Sequence, residues 1–401
     1  MSHILFFFGS GVSVPSGMPG VTDITRGVFE DPLQKDQFGG AYVTPSSDSL
    51  DPEPPWDAYV PTIRCFLNIV REYAKRVLKE SESEEQGVTY EDLFYLCQQV
   101  HNDQFLGPAN LAVRPFSKWL GDEAQKYLIE SPNPKDERNP LAYTASEACL
   151  LIQNVVHHQL DRFPKSIVGF QPLLDAIDEL ERVTIVTLNH DLLVEQLLQQ
   201  HGVDYTDGFY RQDGQARRYT PESLFSDTYR VRIIKPHGSI NWYLAYPPDE
   251  LKKPVQGRWM RMVYIASERT RQSSIKDKQE REYHIITAAP SVLSGVGKEM
   301  EYNSDIFGDM MEAFLYALRN VTLVVESGFG WNDKGISRRL TGYLEQNVNR
   351  KLLLLHPNGF TSRYLDPRFN NLHLDTKQLV TDIKKYLCET TWVEIKKAFS
   401  L

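Results

Sequence analysis

Residues 4–20 read ILFFFGSGVSVPSGMPG, so an apolar run changes abruptly into a glycine-rich loop. Five consecutive apolar residues, three of them phenylalanine, are typical of a short strand that is buried on both faces. Gly9 and Gly11 end the run and predict a tight loop directly after the strand. A doubly buried strand that ends in such a loop favours a parallel α/β sheet.

Four more apolar runs predict further strands of the same sheet. They cover residues 183–188, 231–234, 321–325 and 351–355, and segments with helical patterning lie between them. This alternation predicts an α/β fold, a Rossmann-like, doubly wound and mainly parallel sheet with a large helical insertion. The predicted domains are a sheet domain of residues 1–30 and 181–375, a helical insertion over 31–180, and a C-terminal helical tail over 376–401.

The composition of the 401 residues excludes several classes of protein. Apolar residues make up 41% and charged residues 24%, which is typical of a globular chain and not of a disordered one. The 44 basic and 53 acidic residues give a net charge of −9, so nucleic acid is not expected as a direct ligand. The first apolar run is too short for a signal sequence or a membrane span, and we expect a cytoplasmic protein that does not bind a membrane.

The cysteines are too few and too scattered for a structural framework. Cys65, Cys97, Cys149 and Cys388 form no C-x-x-C pair, so the sequence predicts neither a zinc ribbon nor a set of disulfides. The histidines and carboxylates also lack metal-ligand spacing, and no metal is predicted.

Polar or glycine-containing loops follow all the predicted strands. They contain Gly9-Ser-Gly11, Thr187-Leu-Asn189, Lys235-Pro-His237-Gly-Ser239, Gly328-Phe-Gly330 and His356-Pro-Asn358. In open α/β sheets, ligands bind at the carboxyl ends of the strands, so these loops form the candidate site. The glycines suit a phosphate but equally suit a plain turn, and Val14 breaks the dinucleotide-binding pattern G-x-G-x-x-G.

Two side chains in these loops suit catalysis. Asn189 offers both a donor and an acceptor to a ribose hydroxyl or a water, although asparagine is also common at strand-to-helix turns. His237 suits a general base because histidine titrates near neutral pH, although a lone histidine is more often structural.

In this order, the loops resemble the motifs of the sirtuin superfamily. Residues 9–19, GSGVSVPSGMP, are similar to the sirtuin loop Gly-Ala-Gly-x-Ser-x-x-Ser-Gly-Ile-Pro. Thr187-Leu-Asn189-His-Asp191 resembles the Thr-x-Asn-x-Asp motif, and Lys235-Pro-His237-Gly-Ser239 resembles the motif that carries the catalytic histidine. Gly328-Phe-Gly-Trp-Asn-Asp333 is similar to the Gly-Tyr-Ser-x-x-Asp loop of prokaryotic sirtuin-like proteins.

The sequence departs from the protein-deacylating sirtuins in two places. No cysteine lies between Cys149 and Cys388, so their four-cysteine zinc ribbon is absent, and Gly20-Val-Thr22 replaces their usual Asp-Phe-Arg. What remains resembles the sirtuin-like NADases of bacterial antiphage defence systems, which deplete NAD during infection. The resemblance implies an NAD hydrolase that cleaves the nicotinamide–ribose bond and releases nicotinamide and ADP-ribose.

The resemblance also implies which residues form the site. Asn189 would hold the ribose or the attacking water, and His237 would be the general base. The residues that would bind NAD are Gly9, Ser10, Gly11, Ser13, Ser16, Gly17, Pro19, Asp191, Gly238, Ser239, Gly328, Phe329, Asp333 and Asn358. In this arrangement the first glycine loop would cradle the pyrophosphate, and Gly328, Phe329 and Asn358 would border the adenosine half.

Other functions remain open at this point. One is a regulatory sensor that binds NAD or ADP-ribose without turnover, and another is a zinc-free protein deacylase or ADP-ribosyltransferase. The resemblance further implies a homo-oligomer and a partner protein, such as a HerA-type ATPase or a phage-sensing protein.

Overall fold

The computed structural model describes residues 3–35, 41–43, 56–80, 87–106, 111–161, 164, 166–210, 216–248, 262–267, 274–287, 289–292, 305–331, 333–357 and 379–399. The chain divides into two compact units. One comprises the residues up to Met18 and those from Arg162 onward, and the other runs from Pro19 to Asp161. The domain boundaries expected at residues 30 and 180 stay predictions.

Both units contain strands and helices, which are numbered here in chain order. The strands are β1 (His3–Phe8), β2 (Gln34–Lys35), β3 (Tyr42–Val43), β4 (Arg182–Thr187), β5 (Tyr205–Thr206), β6 (Arg217–Arg218), β7 (Val231–Ile234), β8 (Trp242–Tyr246), β9 (Val263–Ala266), β10 (Ser274–Lys276), β11 (Glu282–Ile285), β12 (Leu323–Ser327), β13 (Lys351–Leu355) and β14 (Val380–Ile383). The helices are α1 (Val21–Glu30), α2 (Tyr59–Glu80), α3 (Tyr90–His101), α4 (Arg114–Glu123), α5 (Pro140–Leu160), α6 (Gln171–Glu179), α7 (Leu193–Gln200), α8 (Asp305–Arg319), α9 (Lys334–Glu345) and α10 (Trp392–Ala398).

The first unit is built on a parallel sheet of seven strands in the order β14-β13-β12-β1-β4-β7-β5. All its strand pairs are parallel, from β1 with β4 to β13 with β14. The predicted fold class, a doubly wound and mainly parallel α/β sheet, is confirmed. The chain leaves β1 toward β4 and later returns to β12 on its other side, so the topological switch point lies between β1 and β12.

Alternate residues of β1 explain why helices cover both faces of this sheet. Ile4, Phe6 and Phe8 pack in one apolar core with α6, α7 and α10, whereas Leu5 and Phe7 pack in another with α8 and α9. All five side chains are fully buried. A strand that is apolar at every position therefore belongs between two helical layers, as its sequence indicates.

The segment 376–401, expected to be a helical tail, contributes a strand as well as a helix. β14 pairs with β13 at the edge of the main sheet, and α10 follows it. The sequence of β14, Val-Thr-Asp-Ile, has two polar residues at its centre instead of an apolar run, because an edge strand needs less burial than a central one. The helical expectation for this part of the tail is therefore wrong.

A second sheet of the first unit is antiparallel, with the strand order β10-β11-β8-β9-β6. Its own small core contains Tyr243, Ile265, Ile275 and Tyr283. β8 begins five residues after His237, so this sheet grows directly out of a predicted catalytic loop. The apolar packing of these side chains stabilises it.

The second unit contains α1 to α5 and the short hairpin of β2 and β3. Two of its helices, α3 and α5, begin at residues whose side chains cap them. Thr89 and Asp92 form a capping box at α3, and the Asn139 side chain accepts from the Ala142 N–H at 2.8 Å at the start of α5.

Candidate functional site

The loops after β1 and β12 touch each other at the switch point. The Gly9 N–H donates to the Ser327 carbonyl at 3.0 Å, and the Gly11 N–H donates to the Gly328 carbonyl at 3.1 Å. A Cβ on Gly9 would lie 2.4 Å from the Gly328 oxygen, and a Cβ on Gly11 would lie 2.8 Å from the Gly328 Cα. The missing side chains at Gly9 and Gly11 are thus required by the neighbouring loop, whether or not a phosphate binds.

A long loop connects Gly11 to α1, as Gly17 and Gly20 indicate in the sequence. The α-helix does not begin directly after Gly11. It forms short 3₁₀ turns at Ser10–Val12 and Val14–Ser16, and α1 begins only at Val21. Ser16 fixes this loop to Val168, because its hydroxyl accepts from the Val168 N–H at 2.9 Å. Anion binding by amides at the start of a helix immediately after the glycines is therefore not the arrangement here.

Asn189, at the carboxyl end of β4, is fixed by a directional chain of hydrogen bonds. Its Nδ2 donates to the Gly9 carbonyl at 3.0 Å and to the Ser13 Oγ at 2.9 Å. Ser13 in turn donates to the Asp191 carboxylate at 2.8 Å, and that carboxylate also accepts from the Leu193 N–H at 3.1 Å. With both amide hydrogens used in this way, Oδ1 is the atom of the Asn189 amide that can accept from a ligand or a water.

His237, after β7, forms a pair with Asp333, which comes from the opposite side of the switch point. The His237 Nε2 lies 3.0 Å from the Asp333 Oδ2, and both side chains are buried. The other oxygen of Asp333 accepts from the Ile336 N–H at 3.0 Å and caps α9. Since an ionised carboxylate can only accept, Nε2 carries the proton and the basic nitrogen of the imidazole is Nδ1.

The loops that carry Asn189 and His237 are neighbours. The ring centroids of His190 and His237 are 6.3 Å apart, and the Ile240 N–H donates to the His190 carbonyl at 3.0 Å. Within the His237 loop, the turn requires a glycine at position 238. The φ of Gly238 is +81°, and a Cβ there would lie 2.2 Å from the Ser291 oxygen.

A buried lysine, Lys235, connects the Asn189 loop and the His237 loop by hydrogen bonds. The Lys235 Nζ donates to the Asp191 carbonyl, to the Glu195 carboxylate at 2.9 Å and to the Ser239 hydroxyl at 2.9 Å. Burial raises the pKa of Glu195, although the charge of Lys235 opposes that shift. Lys235 and Ser239 thus stabilise the backbone that carries the site.

A cavity of about 210 Å³ lies beside this network, at the carboxyl ends of β1, β12 and β13. Its walls include Gly11, Val12, Gly328, Phe329, His356 and Tyr386. It shares the glycine loops with the network around Asn189 but is not lined by Asn189 or His237. The candidate site therefore has two adjoining parts, a polar one over β4 and β7 and a mainly apolar cavity over β12 and β13.

The predicted site residues fall into distinct groups. Those that form the two parts of the site are Gly9, Gly11, Ser13, Asn189, Asp191, His237, Gly328, Phe329 and Asp333. Ser10 and Gly17 lie exposed on the loop, Ser16, Gly238 and Ser239 support its surroundings, and Pro19 belongs to the second unit. Asn358 lies outside the described residues. The sequence interpretation gave no role to Lys235, Glu326 and His356, although a charged residue inside or directly after an apolar strand is a usable signal.

The part of the chain that the structure describes contains neither a metal-binding cluster nor a membrane-spanning helix. Within it, no three His, Cys, Asp or Glu side chains are grouped so that they could hold a metal ion. In the same residues, no helix is long and apolar enough to cross a membrane.

Comparison with known proteins adds little to this geometry. No protein-family model matches the chain, and neither does any curated protein. A solved complex of a mutant Sir2 homologue with 2′-O-acetyl ADP-ribose matches at 10% identity and a TM-score of 0.32, covering 100% of this chain and 94% of the other. A structure described as the structural basis of sirtuin substrate affinity matches at 12% identity and a TM-score of 0.31, covering 99% and 92%. At these values the assignment of the site depends on the geometry of this chain alone.

Proposed function

We propose that this protein is an NAD hydrolase that cleaves the nicotinamide–ribose bond and releases nicotinamide and ADP-ribose. The observation that carries the proposal is the convergence of an oriented amide, Asn189, and a carboxylate-held imidazole, His237, beside the glycine loops of the switch point. That place in an open α/β sheet is where a dinucleotide binds. The resemblance of the loop motifs to those of sirtuins supports NAD as the substrate.

In the proposed reaction, a bond forms between the ribose C1′ and a water oxygen while the bond from C1′ to the nicotinamide nitrogen breaks. Nicotinamide leaves as a neutral molecule, and the water gives up one proton. The transition state resembles an oxocarbenium ion, so the ribose carries positive charge while the water is still a weak nucleophile. The protein must therefore hold the water in place and accept its proton.

Asn189 suits the first task. Because its Nδ2 is committed to Gly9 and Ser13, its amide cannot rotate, and Oδ1 accepts a hydrogen bond from the water or from a ribose hydroxyl. An acceptor at that point directs an oxygen lone pair of the water away from itself and toward C1′. Placement of this kind lowers the entropic part of the barrier.

His237 suits the second task. Asp333 holds its Nε2–H, so Nδ1 has the lone pair that takes a proton, and the carboxylate stabilises the imidazolium that forms. The same base can act on a ribose hydroxyl. Asn189 and His237 are therefore the proposed catalytic residues.

The remaining site residues are proposed to bind the dinucleotide across the switch point. The cavity of about 210 Å³ is smaller than the roughly 300–1,000 Å³ typical of ligand pockets, so it suits one nucleoside half and not the whole of NAD. We assign it the adenosine half, bordered by Gly328 and Phe329, with the pyrophosphate over Gly9, Ser10 and Gly11. The nicotinamide half then extends toward Asn189 and His237.

The biological role follows from the resemblance alone. We propose an NAD-depleting effector of antiphage defence that acts in the cytoplasm. A permanently active enzyme of this kind would poison its host, so we also propose control by homo-oligomerisation or by a partner such as a HerA-type ATPase or a phage-sensing protein.

The direct test is to incubate the purified protein with NAD and to follow nicotinamide and ADP-ribose by chromatography. Asn189→Ala and His237→Ala should each reduce nicotinamide release by about 10²–10⁴-fold, since each removes a group that acts on the water. His201→Gln, an exposed histidine at the end of α7, is the matched control and should retain the wild-type rate.

The other functions have distinct outcomes in this assay. Tight binding of NAD without nicotinamide release, even with a candidate partner added, would indicate a sensor. Release that requires an acylated or acceptor protein would indicate a deacylase or an ADP-ribosyltransferase. Wild-type turnover by His237→Ala would refute the proposed base.

A further inference from the structure

Glu326 and His356 form a second histidine–carboxylate pair, on the cavity side of the switch point. Glu326 lies near the end of β12, and its side chain has no exposed surface. Its carboxylate accepts from the Phe329 N–H at 2.8 Å and from the His356 Nε2 at 2.7 Å. His356, the first residue after β13, has a side chain that is 20% exposed and lines the cavity.

This arrangement places the imidazole of His356, and not the carboxylate of Glu326, at the cavity wall. Burial lowers the pKa of His356, but its hydrogen bond to Glu326 and the negative charges of Glu326 and Asp382 outweigh burial and raise it. The Glu326 carboxylate itself is hidden behind the imidazole. A ligand in the cavity therefore meets an imidazole whose protonated form Glu326 favours, and not a carboxylate.

The rest of the described cavity wall adds no opposing charge. Its residues are glycines, apolar side chains, Ser327, Tyr386 and Cys388, and none of them is an acid, a lysine or an arginine. Burial and the nearby Glu389 raise the pKa of the Cys388 thiol, so that group stays neutral. His356 is thus the group through which the described part of this wall can carry a positive charge.

Sites that are selective for NAD present a carboxylate to the adenosine ribose, where it accepts from the 2′-hydroxyl, whereas sites for the 2′-phosphorylated form present a cation. We propose that the cavity accepts a 2′-phosphorylated adenosine ribose, with His356 contacting the phosphate and Glu326 holding His356 in place. The substrate class would then include NADP as well as NAD. The inference rests on the proposed function, because it assigns the adenosine half to this cavity.

Equilibrium binding tests the inference without the need for turnover. Calorimetric titration with ADP-ribose and with 2′-phospho-ADP-ribose compares two ligands that differ only in the phosphate. We expect the wild-type protein to bind the phosphorylated ligand at least as tightly as the other. His356→Gln should weaken the phosphorylated ligand about tenfold and ADP-ribose less than about twofold, because a charge-assisted hydrogen bond is lost only with the first.

The controls separate this inference from the proposed function. His201→Gln removes an exposed histidine elsewhere and should leave both affinities unchanged. If His356→Gln fails to fold, Glu326→Gln keeps the shape, removes the charge that raises the pKa of His356, and should again weaken the phosphorylated ligand selectively. Wild-type preference for ADP-ribose by tenfold or more, unaffected by these changes, would overturn the inference and leave the proposed function standing. Binding of neither ligand by folded protein would overturn both.

Discussion

The pair of His237 and Asp333 allows the catalytic role of a residue to be separated from its structural role. The two oxygens of Asp333 have different partners, one accepting from the His237 Nε2 at 3.0 Å and the other from the Ile336 N–H at 3.0 Å. Asp333→Asn keeps an acceptor for the helix cap, since asparagine and aspartate cap helices about equally well. The amide nitrogen then faces the imidazole as a donor.

This substitution changes which ring nitrogen of His237 carries the proton. A donor opposite Nε2 requires the lone pair on that nitrogen and the proton on Nδ1, so the imidazole can no longer act as a base through Nδ1. Loss of an orienting carboxylate by the same change in other hydrolases lowers kcat by about 10⁴-fold, and we expect about 10²–10⁴-fold here. At about 1.36 kcal/mol per factor of ten, the barrier rises by roughly 3–5 kcal/mol.

Stability should hardly change in the same variant. The cap is conserved, and only the interaction of one negative charge with the start of α9 is lost, so the free energy of unfolding should fall by less than about 1 kcal/mol. The assay is steady-state nicotinamide release beside urea denaturation, with Thr391→Asn at the exposed cap of α10 as the control. Wild-type kcat in Asp333→Asn would refute the assignment of Nδ1 as the base, and a large loss of stability would refute the separation of roles.

Further predictions concern the framework of the site. Gly328→Ala should lower the free energy of unfolding, measured by chemical denaturation, by more than about 2 kcal/mol. The reason is that Gly328 has a φ of +73° and the new Cβ would lie 2.6 Å from the Val12 nitrogen. The control is Gly342→Ala in α9, where a Cβ meets nothing within 4 Å and no stability should be lost. Lys235→Met leaves a buried carboxylate without its cation and should cost about 3–5 kcal/mol, most of which Glu195→Leu recovers when both changes are combined. Because the pKa of His356 is raised in the folded protein, its contribution to stability is complete below its ordinary pKa of about 6.5 and is lost as pH rises through the folded value. The denaturation midpoint should therefore fall more between pH 6 and pH 9 in the wild-type protein than in His356→Gln.

The central strands could be predicted because they are buried on both faces and are therefore continuous apolar runs in the sequence. The predicted run at residues 4–8 lies within β1, and Val231–Ile234 forms β7 as expected. The edge strands β5 and β14 were missed, since they are short and partly polar and resemble loops until a neighbouring strand supplies hydrogen-bond partners. In the antiparallel sheet, β9 and β11 overlap stretches at residues 259–266 and 283–288 whose sequence indicates strands, but their pairing with β8 was not predicted, because it joins residues that are distant in the sequence.

The partners of the site residues could not be predicted from the sequence either. A strand-end motif identifies Asn189 or His237 as a polar residue at the correct edge of the sheet, but not its partner. Ser13 and Asp191 are 178 positions apart, and His237 and Asp333 are 96 positions apart. Asp333 was expected to bind NAD directly, whereas in the structure its carboxylate is occupied by an imidazole and a helix cap, which only the fold could reveal.

The segment from Gly328 to Asp333 connects the two parts of the site. Gly328 lines the cavity and contacts the first glycine loop, whereas Asp333 holds the proposed base. Between them, Phe329 and Trp331 are buried, their ring centroids are 5.3 Å apart, and the Phe329 N–H donates to Glu326. A change that moves this segment should therefore alter substrate binding and proton transfer together. Trp331→Phe, which replaces a buried ring packed on Phe329 by a smaller one, should raise KM and lower kcat, whereas His237→Ala should act mainly on kcat. A Trp331→Phe enzyme with reduced kcat and unchanged KM would show instead that the cavity and the base are held independently.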